Sequence, residues 1–89
     1  MSKRSLSEVI GAVRAECIKA GDRYGNFHST HEGLGVLAEE IDELMEAIRS
    51  NRRFPIQREA IQVAAVAIRL ADALEIGEPE FLDRSGFSG

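Results

Sequence analysis

Apolar residues recur along the first half of the chain at steps of three and four, the spacing that places side chains on one face of an α-helix. The first such stripe predicts a helix over Ser5–Ala20, opened by a capping box between Ser5 and Glu8 and stopped by Gly21. Residues 21–29 contain two glycines and an asparagine, which are typical of a loop. The pattern therefore predicts an N-terminal helix followed by an irregular connection.

A second stripe predicts a helix from about Thr30 to Ser50, with Ser29 and Glu32 at the positions of another capping box. Its apolar face must be buried against a core. A turn is expected over residues 51–55, because the residue before a proline avoids the α region. The apolar residues of the second stripe are Leu34, Leu37, Ile41, Leu44, Met45 and Ile48.

A third helix is expected from about Ile56 to Ile76, closed by Gly77. Between Glu59 and Asp72 its apolar residues cover nearly the whole circumference, and a helix that is apolar all round must be enclosed. Two other helices of one chain cannot enclose it. We therefore expect copies of the chain to pack their third helices together, completing a four-helix core in a homodimer or a dimer-of-dimers tetramer.

The fold class expected from these elements is all-α, with an N-terminal helix and two long antiparallel helices in each protomer. The 89 residues allow one domain, with its core at about residues 5–77 and a C-terminal tail over residues 78–89. Three apolar residues of the tail are candidate anchors onto a neighbouring surface: Phe81, Leu82 and Phe87.

Composition argues against two classes of partner. The net charge is -4 and the Lys and Arg residues are scattered, whereas nucleic acids and membrane surfaces are polyanionic and require clustered cations. No apolar run approaches the roughly 18 residues of a membrane span, and the N-terminus lacks the apolar core of a signal peptide. The single cysteine, Cys17, is expected to be a small buried hydrophobe in a reducing environment. We expect a cytoplasmic protein.

Acidic residues on two helices suggest chemistry. Glu40 and Glu43 border the buried stripe of the second helix, and Glu59 and Gln62 repeat their spacing on the third. An antiparallel hairpin would bring the two pairs together. Three carboxylates and an amide oxygen at the edge of a dry core repel one another unless a hard divalent cation neutralises them, and magnesium fits these ligands best. The simpler alternative is a solvated acidic face. Three acids project away from the stripe: Glu39, Asp42 and Glu46.

The connection between the first two helices carries Tyr24, Phe27 and His28. Aromatic side chains in a loop need a partner. They either pack under the helices or line a pocket for a flat ligand such as a nucleobase, and both alternatives stay open at this point.

Two runs of this sequence resemble the motifs of a known family. EEIDE over residues 39–43, then EAIQ over residues 59–62, resemble the EExxE and ExxD signature of the MazG-like, all-α nucleoside triphosphate pyrophosphohydrolases. RLAD over residues 69–72 is similar to a run that often follows the second motif, and HEG over residues 31–33 resembles MazG-like sequences from phages and bacteria. The resemblance covers about residues 5–77.

The resemblance implies hydrolysis of a nucleoside triphosphate between its α and β phosphates, giving a nucleoside monophosphate and pyrophosphate in nucleotide-pool housekeeping. It makes Glu40, Glu43 and Glu59 ligands of Mg²⁺, with Mn²⁺ as a substitute. Gln62 stands at the fourth ligand position, and Glu39 is an outer carboxylate that orients a ligand or the attacking water. Candidate substrate contacts are Lys19, Arg69, Phe27 and His28, and the other available cations are Arg23, Arg52, Arg53 and Arg58.

The chain departs from the family pattern at Gln62, where the family has Asp. A neutral amide oxygen in place of an anion should weaken metal binding and could remove a second metal position. The chain is then an active enzyme with an altered site, a slow enzyme, or a homologue that binds nucleotide without turnover. We favour the active enzyme because the three glutamates remain in register. A non-catalytic helical interaction module is the alternative from another class.

Overall fold

The computed structural model describes residues 3–76, which form three α-helices: α1 over Leu6–Tyr24, α2 over Thr30–Ser50 and α3 over Arg53–Ile76. No strand occurs within this range. The all-α fold class is therefore confirmed. None of the helices in the described part of the chain is long and apolar enough to cross a membrane. The tail predicted over residues 78–89, and Gly77 as a helix stop, lie outside the described residues.

The start of α1 agrees with its sequence, whereas its predicted end at Gly21 was wrong. Ser5 Oγ accepts a hydrogen bond from the Glu8 amide at 3.1 Å, and Glu8 Oε1 accepts one from the Ser5 amide at 2.9 Å. The helix continues through Gly21 and ends at Gly25, whose φ of 74° and ψ of -164° suit glycine. A glycine inside a helix costs only about 1 kcal/mol, too little to stop it when a better terminator follows.

The predicted bounds of α2 are confirmed, but its capping differs in one respect. Ser29 Oγ accepts from the Glu32 amide at 3.0 Å, as in a capping box. The Glu32 carboxylate accepts from the His28 amide at 2.8 Å instead of from the cap residue itself. The helix ends at Asn51, which adopts the left-handed conformation with φ 55°. Asparagine is among the few residues other than glycine that tolerate this cap.

The turn between α2 and α3 is shorter than predicted. α3 begins at Arg53, three residues before the expected start, and includes Pro55 in its first turn. A proline is tolerated there because its missing N–H would have no partner within the helix. The Ile56 amide donates to the Arg52 carbonyl at 3.2 Å, which closes this first turn.

α3 is the central element, since both other helices pack against it. Gly33, early in α2, approaches Leu70, late in α3, whereas Glu43 lies near Glu59, so α2 and α3 are antiparallel as predicted. α1 runs in the same direction as α3: Cys17 Sγ lies 3.5 Å from the carbonyl oxygen of residue 65, and residue 25 further along contacts residue 69.

The buried core is small and divided between the two helix contacts. One cluster, between α2 and α3, contains Phe27, Val66 and Ala73, packed against Val36, Leu37 and Leu70. The other, between α1 and α3, contains Val13, Ile61 and Ala65, packed against Val9, Ala12, Cys17 and Ala64. Within residues 3–76, no large side chain is completely buried. The single protomer therefore leaves much of its apolar surface in contact with water.

Two apolar stripes remain exposed along α2 and α3. At about 100° per residue, they lie on the same side of the antiparallel hairpin. The residues of each stripe are separated by alternating steps of four and three, which is the spacing of a helix-bundle seam. The α2 stripe consists of Leu34, Ala38, Ile41, Met45 and Ile48. The α3 stripe consists of four exposed residues, Ala60, Ala67, Ala71 and Leu74, together with Ala64, which is half-buried and also packs against the α1–α3 cluster.

Candidate metal centre and pocket

Three carboxylates from two helices meet at the α2–α3 contact. Each of Glu40, Glu43 and Glu59 offers one oxygen, and the three oxygens all lie within 4.8 Å of one another. The antiparallel hairpin produces this arrangement because residues 40 and 43 are neighbours on α2 and face residue 59 on α3. The two acidic pairs inferred from the sequence thus supply three of the four expected ligands to one cluster.

The cluster is short of positive charge and of hydrogen-bond donors. Glu40 and Glu59 are half-buried, and one oxygen of each, Oε2, is fully buried without a hydrogen-bond partner. Arg58 is mostly exposed, and its Nε lies 3.8 Å from Glu59 Oε1, so this ion pair is well screened by water. Burial, followed by the nearby charges of Glu43 and Glu59, raises the pKa of Glu40 above its ordinary value.

The donor set suits a hard divalent cation. Carboxylate oxygens from different elements, two of them buried and lacking partners, are the ligands that Mg²⁺ and Mn²⁺ prefer. The residues present therefore fit a magnesium ion at Glu40, Glu43 and Glu59. Exposed acids often cluster without an ion, and here the buried unpaired oxygens distinguish this group from an ordinary solvated face.

Glu39 and Gln62 border a pocket that begins beside this cluster. Both line it together with Glu40, and the pocket encloses about 640 Å³ between the three helices. Glu39 is exposed and points away from the apolar stripe of α2, as expected, while Gln62 is half-buried. Gln62 is thus close enough to Glu40 to share its surroundings, and it faces the space in which a ligand would lie.

Cations line the part of the pocket farther from the carboxylates. Lys19 and Arg23 come from α1 and Arg69 from α3. Arg69 lies seven residues beyond Gln62, which is about 10 Å along the helix axis at 1.5 Å per residue. The other three arginines considered in the sequence do not line this pocket: Arg52, Arg53 and Arg58. The pocket therefore has an acidic end, at Glu39 and Glu40, and an end of mixed charge, where these cations lie near Glu16 and Glu32.

Phe27 and His28 have different environments. Phe27 is 7% exposed and packs in the core beneath α2 and α3, so the first of the two alternatives for the loop aromatics applies to it, although it also contributes to the pocket wall. His28 is exposed at the pocket rim, with Nδ1 3.5 Å from Glu32 Oε2. Tyr24 is also exposed at the rim, where the Arg23 guanidinium lies 5.3 Å from its ring centroid.

Arg69 ties the α1–α2 connection to α3. Its Nη2 donates to the Gly25 carbonyl at 3.2 Å, and its guanidinium carbon lies 4.4 Å from the centroid of the Phe27 ring. Both contacts use charge that would otherwise be available to a ligand. Cys17, by contrast, is half-buried and its Sγ contacts the Ala65 carbonyl, and burial raises the pKa of this thiol, as befits a small hydrophobe.

The sequence did not single out some of the residues that line the pocket. These residues are Glu16, Asn26 and Glu32. Glu16 lines the pocket because of the way α1 packs on α3, which has no signature in the spacing of apolar residues. The hydrogen bond from Arg69 to the Gly25 carbonyl could not be predicted from sequence either, because the two residues are far apart in the chain.

The chain matches no protein-family model, no curated protein and no solved structure with which it was compared. The MazG-like resemblance therefore stays a prediction that rests on the motif positions.

Proposed function

We propose that this chain is a magnesium-dependent nucleoside triphosphate pyrophosphohydrolase, which releases a nucleoside monophosphate and pyrophosphate. The observation that carries the proposal is the convergence of Glu40, Glu43 and Glu59, with two buried and unpaired oxygens, beside a pocket that Glu40 itself lines. The positions of these three glutamates are also those of the metal ligands in the MazG-like motifs. The pocket volume of about 640 Å³ is in the range of sites for small organic ligands.

Each group has a role that follows from its place. Glu40, Glu43 and Glu59 would hold Mg²⁺, which would supply neutralisation of phosphate charge and a lower pKa for a water. Glu39, at the pocket surface, orients the water that attacks the α-phosphorus. The oxygen of that water bonds to the α-phosphorus and its proton passes to solvent, while the bond from this phosphorus to the α–β bridging oxygen breaks and pyrophosphate leaves. Two cations of the pocket attract the anionic ligand: Lys19 and Arg23.

Gln62 removes one negative charge from the site relative to the family motif, but it still offers an oxygen atom as a ligand. Its amide oxygen can approach a cation, and its amide N–H groups can donate to a phosphate oxygen, which an aspartate cannot do. Three carboxylates remain for the cation. We therefore expect an active site that binds the metal more weakly than a site with aspartate at this position would.

We also propose that the active form is a homodimer, or a tetramer of two such dimers. The two exposed stripes give the hairpin an apolar side with mostly large side chains on α2 and mostly alanine on α3. Two hairpins can bury these sides against each other as a four-helix core, with the large residues of one copy over the alanines of the other. The pocket, which is lined partly by α1, is not covered by this association and stays accessible.

Pyrophosphate release from a panel of nucleoside triphosphates, with magnesium and with chelator, tests the enzyme directly. We expect turnover only with magnesium, and a loss of at least 100-fold in Glu40→Gln and Glu59→Gln, because each variant removes a ligand from the metal. Glu46→Gln is the matched control, since Glu46 is an exposed acid of the same helix outside the cluster. Full activity in Glu40→Gln would show that the site is misplaced.

The exposed apolar side also favours the second candidate, a helical interaction module whose acids only keep it in solution. The response of the melting temperature to magnesium distinguishes the enzyme from the interaction module. If the cation binds the native cluster, millimolar magnesium should raise the melting temperature of the wild-type chain and not that of Glu40→Gln. An unchanged melting temperature of the wild type, together with no nucleotide binding, would favour the module.

A further inference from the structure

The connection between α1 and α2, residues 25–29, supplies residues 25–28 to one wall of the pocket and is fixed at two points by Arg69. The guanidinium hydrogen-bonds to the Gly25 carbonyl at the start of the connection. It also lies over the ring of Phe27, the one buried residue in the connection. A single side chain of α3 therefore restrains both the backbone and the central side chain of this wall.

These two contacts require the shape of a guanidinium as well as its charge. A planar group with several donors can cover an aromatic ring and donate in its own plane at the same time. A lysine in this place keeps the charge but has a compact ammonium that cannot make both contacts. The contribution of Arg69 as a pocket cation can thus be separated from its contribution as an anchor.

The anchored wall lies where the nucleoside of a bound triphosphate would be. The carboxylates would fix the metal-bound phosphates near Glu59, about 15 Å along α3 from Arg69. At the wall, Asn26 and His28 expose an amide and an imidazole to the pocket rim. Both side chains carry donors and acceptors that can distinguish the edges of different bases.

We propose that Arg69 is a positioning residue, which sets the nucleoside selectivity of the pocket by holding Gly25–Ser29 in place and does not act as a phosphate-binding cation. The inference rests on the proposed function, because it requires a nucleoside triphosphate in the pocket. It assigns the discrimination between bases to a connection whose conformation depends on a contact from another helix.

Calorimetric binding in the presence of magnesium tests this proposal on Arg69→Lys. The ligands are inorganic tripolyphosphate and the α,β-methylene analogues of the four common nucleoside triphosphates. For the variant we expect nucleotide affinities to fall roughly tenfold, as for loss of one hydrogen bond to a charged group, and the differences among the four analogues to disappear. Tripolyphosphate affinity should change less than twofold. Amide hydrogen exchange over residues 25–29 should become faster.

Lys19→Gln is the matched comparison, because Lys19 is a cation of the same pocket for which the structure shows no contact with the connection. This variant should weaken tripolyphosphate and all four analogues by the same factor. The inference is overturned if Arg69→Lys behaves in that way, if it keeps the selectivity of the wild type, or if exchange over residues 25–29 is unchanged. A wild-type chain that binds neither tripolyphosphate nor the analogues would overturn the proposed function as well, which distinguishes the two failures.

Discussion

Glu40 and Glu59 each bury a carboxylate oxygen that accepts no hydrogen bond. An unsatisfied buried acceptor costs about 1–3 kcal/mol, so two of them are a substantial burden for a protomer with a small core. The neighbouring acid Glu43 adds repulsion between like charges. A chain selected only for stability would replace these residues, and the arrangement is consistent with carboxylates kept for a ligand that restores the lost interactions.

The raised pKa of Glu40 predicts a pH effect on the metal-free chain. The native state holds a proton at Glu40 more tightly than the unfolded state does, so its stabilising contribution is complete below the ordinary pKa of 4.5 and is lost as the pH rises through the native pKa. Glu40→Gln cannot ionise at this position, so the variant does not lose this stability as the pH rises. Without metal, we expect the melting temperature of the variant at pH 7 to exceed that of the wild type by a few degrees, and its fall above pH 4.5 to be shallower.

Thermal melts in chelator from pH 4 to pH 8 measure this effect, and the same melts in magnesium should reverse the order of the two proteins. Asp42→Asn is a suitable control because Asp42 is exposed on the same helix and lies outside the cluster. Equal pH profiles for wild type and Glu40→Gln would mean that Glu40 is hydrated and charged in the native state.

Gln62→Asp should strengthen metal binding. The substitution places a fourth carboxylate at the acidic end of the pocket, one turn from Glu59, and the affinity of oxygen-ligand sites rises with their number of charges. We expect magnesium to bind roughly tenfold more tightly, which corresponds to about 1.4 kcal/mol. The shift of melting temperature as a function of magnesium concentration measures it. An affinity equal to or below that of the wild type would place residue 62 outside the ligand sphere.

The part of the site that depends on residue spacing within single helices was predictable from sequence. The pairs at residues 40 and 43 and at residues 59 and 62 follow from helical periodicity, and one antiparallel hairpin suffices to bring them together. The position of Arg69 relative to Gly25 depends on how α1 and its connection pack on α3, which periodicity does not encode. Contacts between distant segments were therefore the part that only the structure supplied.

At the scale of single elements, glycine has opposite effects at two positions. Gly35 lies inside α2 with open space where a Cβ would be, so Gly35→Ala should stabilise the chain by about 0.5–1 kcal/mol through helix propensity. Gly25 occupies a positive-φ conformation that is nearly confined to glycine, so Gly25→Ala should destabilise it by about 1–3 kcal/mol. Urea unfolding curves measure both. Stabilisation by Gly25→Ala would contradict the assigned end of α1.

Helix ends were the least predictable feature of the elements. Gly21 and Gly25 are equivalent as residue types, and only the backbone conformation at Gly25 shows which one terminates α1. Pro55 indicated a break from sequence but was accommodated in the first turn of α3. Local residue preferences are weak, of the order of 1 kcal/mol, so packing along α3 decides between neighbouring termini.

At the scale of the whole molecule, the protomer is extended. Its principal extents are 47 × 25 × 24 Å and its radius of gyration is 14.6 Å, whereas a compact chain of this size has a radius of gyration of about 11–12 Å. α3 contacts α1 and α2 on two of its sides and exposes alanines on the third. The apolar circumference read from the sequence is thus enclosed on two sides only, which is the physical basis for the proposed homodimer.

Ile41→Lys should disrupt this dimer. Ile41 lies in the middle of the α2 stripe and is 40% exposed in the protomer, so self-association would bury it between hairpins. An unpaired ammonium at that position costs several kcal/mol, and the dimer dissociation constant should rise by at least 100-fold. Ile10→Lys is the control, because Ile10 is a comparably exposed apolar residue of α1, outside both stripes.

Sedimentation equilibrium should show the wild type and Ile10→Lys as dimers or tetramers and Ile41→Lys as a monomer. Thermal melts should show a lower melting temperature for Ile41→Lys. A wild type that stays monomeric at all concentrations, or an Ile41→Lys variant that associates normally, would exclude this side of the hairpin as the interface.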